Sequence, residues 1–157
     1  MAEGEIPINP GDLPIDSISL DDSLVYAVSL VKGIVNPKAD KSGFIFCKLQ
    51  YEVAEGDYEG MTVMQNWLRL PVALTANPSK KELVQKTNMN APFGRFCRAF
   101  RITHVMPPVR LEDRESIEAW QEWIEKAYGN IGKVTIQNQE FPEGSGRMRS
   151  GIADFVV

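Results

Sequence analysis

Histidine and cysteine are almost missing from this chain. There is one histidine, His104, and two cysteines, Cys47 and Cys97, in 157 residues. Any Ser-His-Asp, Cys-His or multi-histidine site would have to rest on His104, which precedes the loop-like Val105-Met106-Pro107-Pro108. The two cysteines are too far apart for zinc-ligand spacing. Both lie inside apolar runs, FIFCKL and RFCRAF, and read as buried free thiols in a reducing, cytoplasmic setting. No run of about 18 consecutive apolar residues is present, so no membrane span is expected. The opening MAEGEIPINPGDLPID lacks the basic start and apolar core of a secretory signal. Neither a P-loop nor a G-x-S-x-G motif occurs. Glu115, Glu118, Glu122 and Glu125 have the spacing of a solvated helix face rather than of paired catalytic carboxylates. These absences predict a non-enzymatic protein without metal or cofactor.

Positive charge is missing from one segment only. Residues 1–22 carry six acids, no bases and three prolines, which predicts an acidic, flexible or extended arm. The whole chain has a formal charge of −4, but six of its 21 acids fall in the arm, leaving 15 acids against 17 bases. With 43% hydrophobic and 24% charged residues the rest is ordinary globular material, enough for one domain over 23–157.

What is there is a change of period. LVYAVSLVKGIV (24–35) is rich in β-branched residues, apolar on both faces, and reads as one long strand whose halves meet different neighbours, with Gly33 as a site for a bulge or bend. GFIFCKLQYEV (43–53) alternates cleanly: Ile45, Cys47, Leu49, Tyr51 and Val53 against Phe44, Phe46, Lys48, Gln50 and Glu52. MTVMQNWLRL (61–70) reads as a third strand, with Met61, Val63, Gln65, Trp67 and Arg69 on one face. A helical insertion follows over about 79–128. Ser79 with Glu82 marks the first helix start, Pro92 starts a second helix running to about Ile102, and a third spans about 114–128 with Asp113 as N-cap. KVTIQNQ (133–139) and MRSGIADFVV (148–157) read as two closing strands around a Gly-rich loop.

Three strands, a helical insertion and two strands is the order of the OB-fold, so the fold class expected is a mainly β, five-stranded OB-like barrel, in the order βββ-ααα-ββ. A mixed α+β sheet under a helical layer is the competing architecture. OB barrels bind oligomers on strands two and three, between the loops joining strands 1–2 and 4–5. Placed on that frame, strand two offers Phe44, Phe46 and Lys48, and strand three offers Trp67 and Arg69. The first loop offers Lys38 and Lys41, the second Arg147 and Arg149, and Lys32 extends the basic track. Aromatics that stack on bases and cations that meet phosphates are what a single-stranded nucleic acid requires. Stacking alone does not separate DNA from RNA.

The stretches SGFIFCKLQYEVAEGDYEGMTVMQNWLRLP, GRFCRAFRI and GNIGKVTIQNQE carry a resemblance. They are similar to the single-stranded-DNA-binding proteins that bacteriophages encode in replication and recombination modules. The resemblance covers roughly residues 40–157 and lies in a pattern of strands and glycines. It implies an OB barrel that binds single-stranded DNA in the host cytoplasm, as a homo-oligomer or with replication or recombination partners. One departure is the ending Asp154-Phe155-Val156-Val157, which reads as strand where many such proteins have an acidic tail. The alternative is a protein–protein module, such as a viral adaptor or assembly factor, that meets its partner through Trp123 and the charged helix face.

Overall fold

The structure is a computed structural model that describes residues 7–13, 18–36, 44–64, 67–108, 114–140 and 143–157. Its elements are β1 (Val25–Val35), β2 (Phe46–Val53), β3 (Thr62–Met64), β4 (Leu68–Arg69), α1 (Lys80–Ala99), α2 (Arg114–Glu125), β5 (Ile131–Glu140) and β6 (Met148–Phe155). Going round the sheet, β1 pairs with β2, β2 with β3, β3 with β6, β6 with β5 and β5 with β1, so the sheet closes on itself. Every pairing is antiparallel except β3 with β6. This is the five-stranded mixed barrel of the OB type, with the helices inserted between its third and fourth long strand segments. Among the described residues, Met64 opposite Gly151 is the register pair of this seam. A Cβ on Gly151 would lie 2.8 Å from the Met64 carbonyl oxygen, so glycine is what permits the approach.

The long first strand behaves as its apolar pattern suggests. Its first half pairs with β5 and most of its length with β2. The bulge falls between Leu30 and Lys32, just before Gly33, and it turns the strand over. Val28 and Leu30 are buried before it, Gly33 and Val35 after it. Gly33 is needed for a different reason: a Cβ there would lie 2.4 Å from Cγ2 of Ile124, so α2 approaches the strand too closely for any side chain. Helix α2 and the turn that follows it also complete the strand's hydrogen bonding. The Tyr128 hydroxyl and the Gln121 amide both donate to the Gly33 carbonyl, at 3.1 and 2.7 Å. The Val35 amide donates to Gln121 Oε1 at 2.9 Å.

Two sequence expectations need correction. The stretch 61–70 is not one strand. Four β2 positions, Gln50 to Cys47, face five positions from Met64 to Leu68, so one residue is inserted and the side chains change faces. Val63 is buried before the insertion, Leu68 and Leu70 after it. Trp67 and Arg69 therefore keep the outward face assigned to them, while Val63 does not share it. The insertion also holds two helices, not three. Helix α1 runs through Pro92 without a break. A mid-helix proline costs about 3 kcal/mol, so both halves must be anchored elsewhere. The first half is capped by Ser79 Oγ, which accepts from the Glu82 amide, and is tied to the preceding loop by two hydrogen bonds between Asn90 and the Val72 backbone. The second half buries Phe93 and Phe96. The Glu82 carboxylate turns to Lys86 and Thr75 rather than closing the capping box, and the hydrogen bond from Lys86, then that from Thr75, holds it below the usual carboxylate range.

The helices close the barrel through aromatic rings. Phe93 meets Phe96, Trp120 and Trp123, and Phe96 meets Phe100 and Phe155 of β6. Phe100 in turn lies against Tyr51 of β2. Trp123 is 4% exposed and belongs to this core, which removes it as a partner-binding residue. His104 Nε2–H donates to the Trp123 carbonyl at 2.9 Å, and Trp123 Nε1–H returns a bond to the His104 carbonyl at 3.1 Å. The histidine thus clamps its loop to α2.

Helix α1 ends in a Schellman motif. The Ile102 amide donates to the Cys97 carbonyl and the Arg101 amide to the Arg98 carbonyl. Arg101, at the position glycine usually takes, has φ of +55°. An L side chain in that conformation is strained, and glycine is not. Arg101→Gly is expected to raise stability by about 0.5–1 kcal/mol, read as a higher midpoint in denaturant.

Candidate nucleic-acid interface

The outward face of β2 is set by its period of two. Cys47, Leu49, Tyr51 and Val53 point into the barrel, which leaves Phe46, Lys48, Gln50 and Glu52 outside. The neighbouring strands place their own outward residues beside these. Arg69 of β4 is opposite Phe46, Ile34 of β1 is opposite Lys48, and Gln50 is flanked by Lys32 of β1 and Met64 of β3. Lys32, Lys48 and Arg69 therefore step across three adjacent strands on one surface. Lys32 and Lys48 are exposed. The β1 bulge matters here, because without its extra residue Lys32 would point into the barrel.

The aromatic end of this surface is built around Arg69. Its guanidinium carbon lies 4.5 Å from the centre of the Phe44 ring and 5.7 Å from that of Phe46. Guanidinium stacking on rings is favourable and fixes the planar fork in place. Arg69 Nε is buried and finds no hydrogen-bond acceptor among the described residues. A buried donor left so is costly, and an anionic oxygen is its natural partner. Trp67, two residues before Arg69, has half its surface exposed. Phe44 and Phe46 are half-buried, so the free ring face comes chiefly from Trp67.

The remaining candidates are placed less closely. Lys38 and Lys41 lie outside the described residues. Arg147 and Arg149 are exposed at the start of β6. Arg149 lines a recess of about 350 Å³ with Met61, Met64, Met148 and Ile18, across the β3–β6 seam. Sequence reasoning missed this last neighbour. The arm is fixed at Leu20, which is buried; its amide donates to Ser150 Oγ at 2.9 Å, and its carbonyl accepts from Asn138 Nδ2 at 2.8 Å. Ser150 Oγ then donates to Asn138 Oδ1, closing a polar triangle that pins the arm to β5 and β6. The only signal for it was an isolated leucine in a polar stretch, SISLDD.

Other chemistry finds little support among the described residues. No three His, Cys, Asp or Glu side chains gather as a metal site there. Burial pushes the thiols of Cys47 and Cys97 up to about 12 and about 11, so neither has thiolate character at neutral pH. No described helix is long and apolar enough to cross a membrane. No protein-family model matches the chain, and no curated protein matches it in sequence.

Proposed function

We propose that the protein binds single-stranded DNA without sequence preference, in phage DNA replication or recombination, through the outer face of β2 and its neighbours. The observation that carries this reading is the Phe44–Arg69–Phe46 stack with the exposed Trp67, in line with Lys48 and Lys32 on an OB-type barrel. Trp67 offers a ring to a base, while Arg69, Lys48 and Lys32 offer charge to successive phosphates. Neither interaction reads base identity, which fits a sequence-tolerant binder. Arg147, Arg149, Lys38 and Lys41 are assigned as further cations for the bound strand, which completes the ten residues of the proposed interface. RNA remains within the same chemistry, since nothing in the stack selects against a 2′-hydroxyl.

Titration of fluorescein-labelled oligo-dT at two salt concentrations tests this. Affinity is expected to fall as salt rises, with a slope of about −0.7 per phosphate neutralised on a log–log plot. Tryptophan emission is expected to be quenched on binding. Absence of any complex at low salt with micromolar protein would sink the proposal.

A further inference from the structure

A second surface lies at the far end of the barrel, where α1 meets β5. A recess of about 510 Å³ is lined by apolar groups, Ala99, Ile131 and Val156 among them, and by Arg98, Arg101 and Lys133. Ile131, Val156 and Val157 are exposed. All three cations are exposed, and none of their side chains makes a hydrogen bond or ion pair with any described residue. No acidic side chain and no aromatic ring lines the recess. A lining of apolar groups and cations with no stacking ring is unsuited to bases but suits a peptide that joins carboxylates to aliphatic side chains.

Arg101 adds an independent mark. It holds the left-handed position of the Schellman motif, where glycine is unstrained, and is the one non-glycine residue with positive φ among the described residues. Strain retained where a simple substitution relieves it points to a use for the side chain.

We infer that this recess receives the N-terminal arm of a second copy of the chain. The arm matches the recess in both respects. Residues 3–16 read EGEIPINPGDLPID, with acids at 3, 5, 12 and 16, isoleucine or leucine at 6, 8, 13 and 15, and no base. Its described part finds no burial on its own barrel: Ile8 is 72% and Leu13 53% exposed. The arm leaves from the Leu20 anchor beside Ser150, at the start of β6, whereas Val156 of the recess follows the end of that strand. The arm of one copy therefore departs from one end of its barrel and meets the other end of its partner's. Reciprocal exchange of two arms closes a two-fold dimer, and one-way exchange gives a head-to-tail chain. The DNA-facing surface on β2 is not involved.

Sedimentation of the full chain without nucleic acid, over a range of concentrations, tests the inference. A self-associating species is expected, weakened by salt and returned to monomer by a peptide of residues 3–16. Arg101→Gly, which relieves strain, is expected to weaken association by about fivefold, as is Lys133→Ala at an exposed strand position. Asp12→Asn together with Asp16→Asn should do the same from the arm's side. A monomer at every concentration overturns the inference, including the case in which the arm folds onto its own recess. So does association that Arg101→Gly and Lys133→Ala both leave unchanged. Because no DNA is present, the outcome is separate from that of the oligo-dT titration.

Discussion

Phe96→Ala is expected to cost about 3–5 kcal/mol of folding stability, the range for truncating a buried phenylalanine. Phe96 has no exposed surface and lies where the insertion meets the barrel. Its ring is 5.7 Å from Phe93, 5.4 Å from Phe100 and 5.7 Å from Phe155 of β6. Removal leaves a cavity that rings held by a closed barrel on one side and a helix on the other cannot readily collapse to fill. A loss of that size is a large part of the roughly 5–15 kcal/mol that holds a domain folded. Chemical denaturation read by far-ultraviolet circular dichroism checks it. A cost below about 1 kcal/mol would mean that α1 does not plug the barrel as its rings indicate.

Trp67→Ala has the opposite profile. Half of Trp67 is exposed, so truncation is expected to change stability by no more than about 0.5 kcal/mol. Oligo-dT affinity, by contrast, is expected to fall by about 1–3 kcal/mol, or roughly 5- to 150-fold, the contribution of one base stacked on one ring. Trp67 provides the most open ring of the surface, because Phe44 and Phe46 already lie against Arg69. Fluorescence anisotropy of the labelled oligonucleotide, with a denaturation curve of the same variant, separates the two effects. Equal affinity in the variant and the parent would take Trp67 off the binding surface and leave the Arg69 stack without a neighbour for the base.

These two residues also show how far each kind of reasoning reaches. Phe96 is legible as core from the sequence, since Phe93, Phe96, Cys97 and Phe100 follow a helical stripe. A single strand over 61–70 also predicts the outward placement of Trp67 and Arg69. The structure keeps that placement for a different reason, because an inserted residue between Met64 and Leu68 reverses the faces and puts Val63 inside. Alternation within β2 needed no such help, and its burial pattern follows the sequence residue by residue.

The sequence by itself determined where strand regions give way to a helical insertion and return, the acidic character of the first 22 residues, and the two faces of β2. Each of these is written in local periodicity or composition, which neighbouring residues express together. The tertiary structure alone decided the rest. Pro92 became part of a continuous helix because distant anchors outweigh a local penalty. Lys32 reached the surface of Lys48 because a bulge turned β1 over, and Leu20 was fixed by Asn138 and Ser150. The cationic recess joins Arg98 and Arg101 to Lys133 across more than thirty positions of the chain. Contacts of that separation leave no periodic trace in the sequence. They exist only once the barrel has closed.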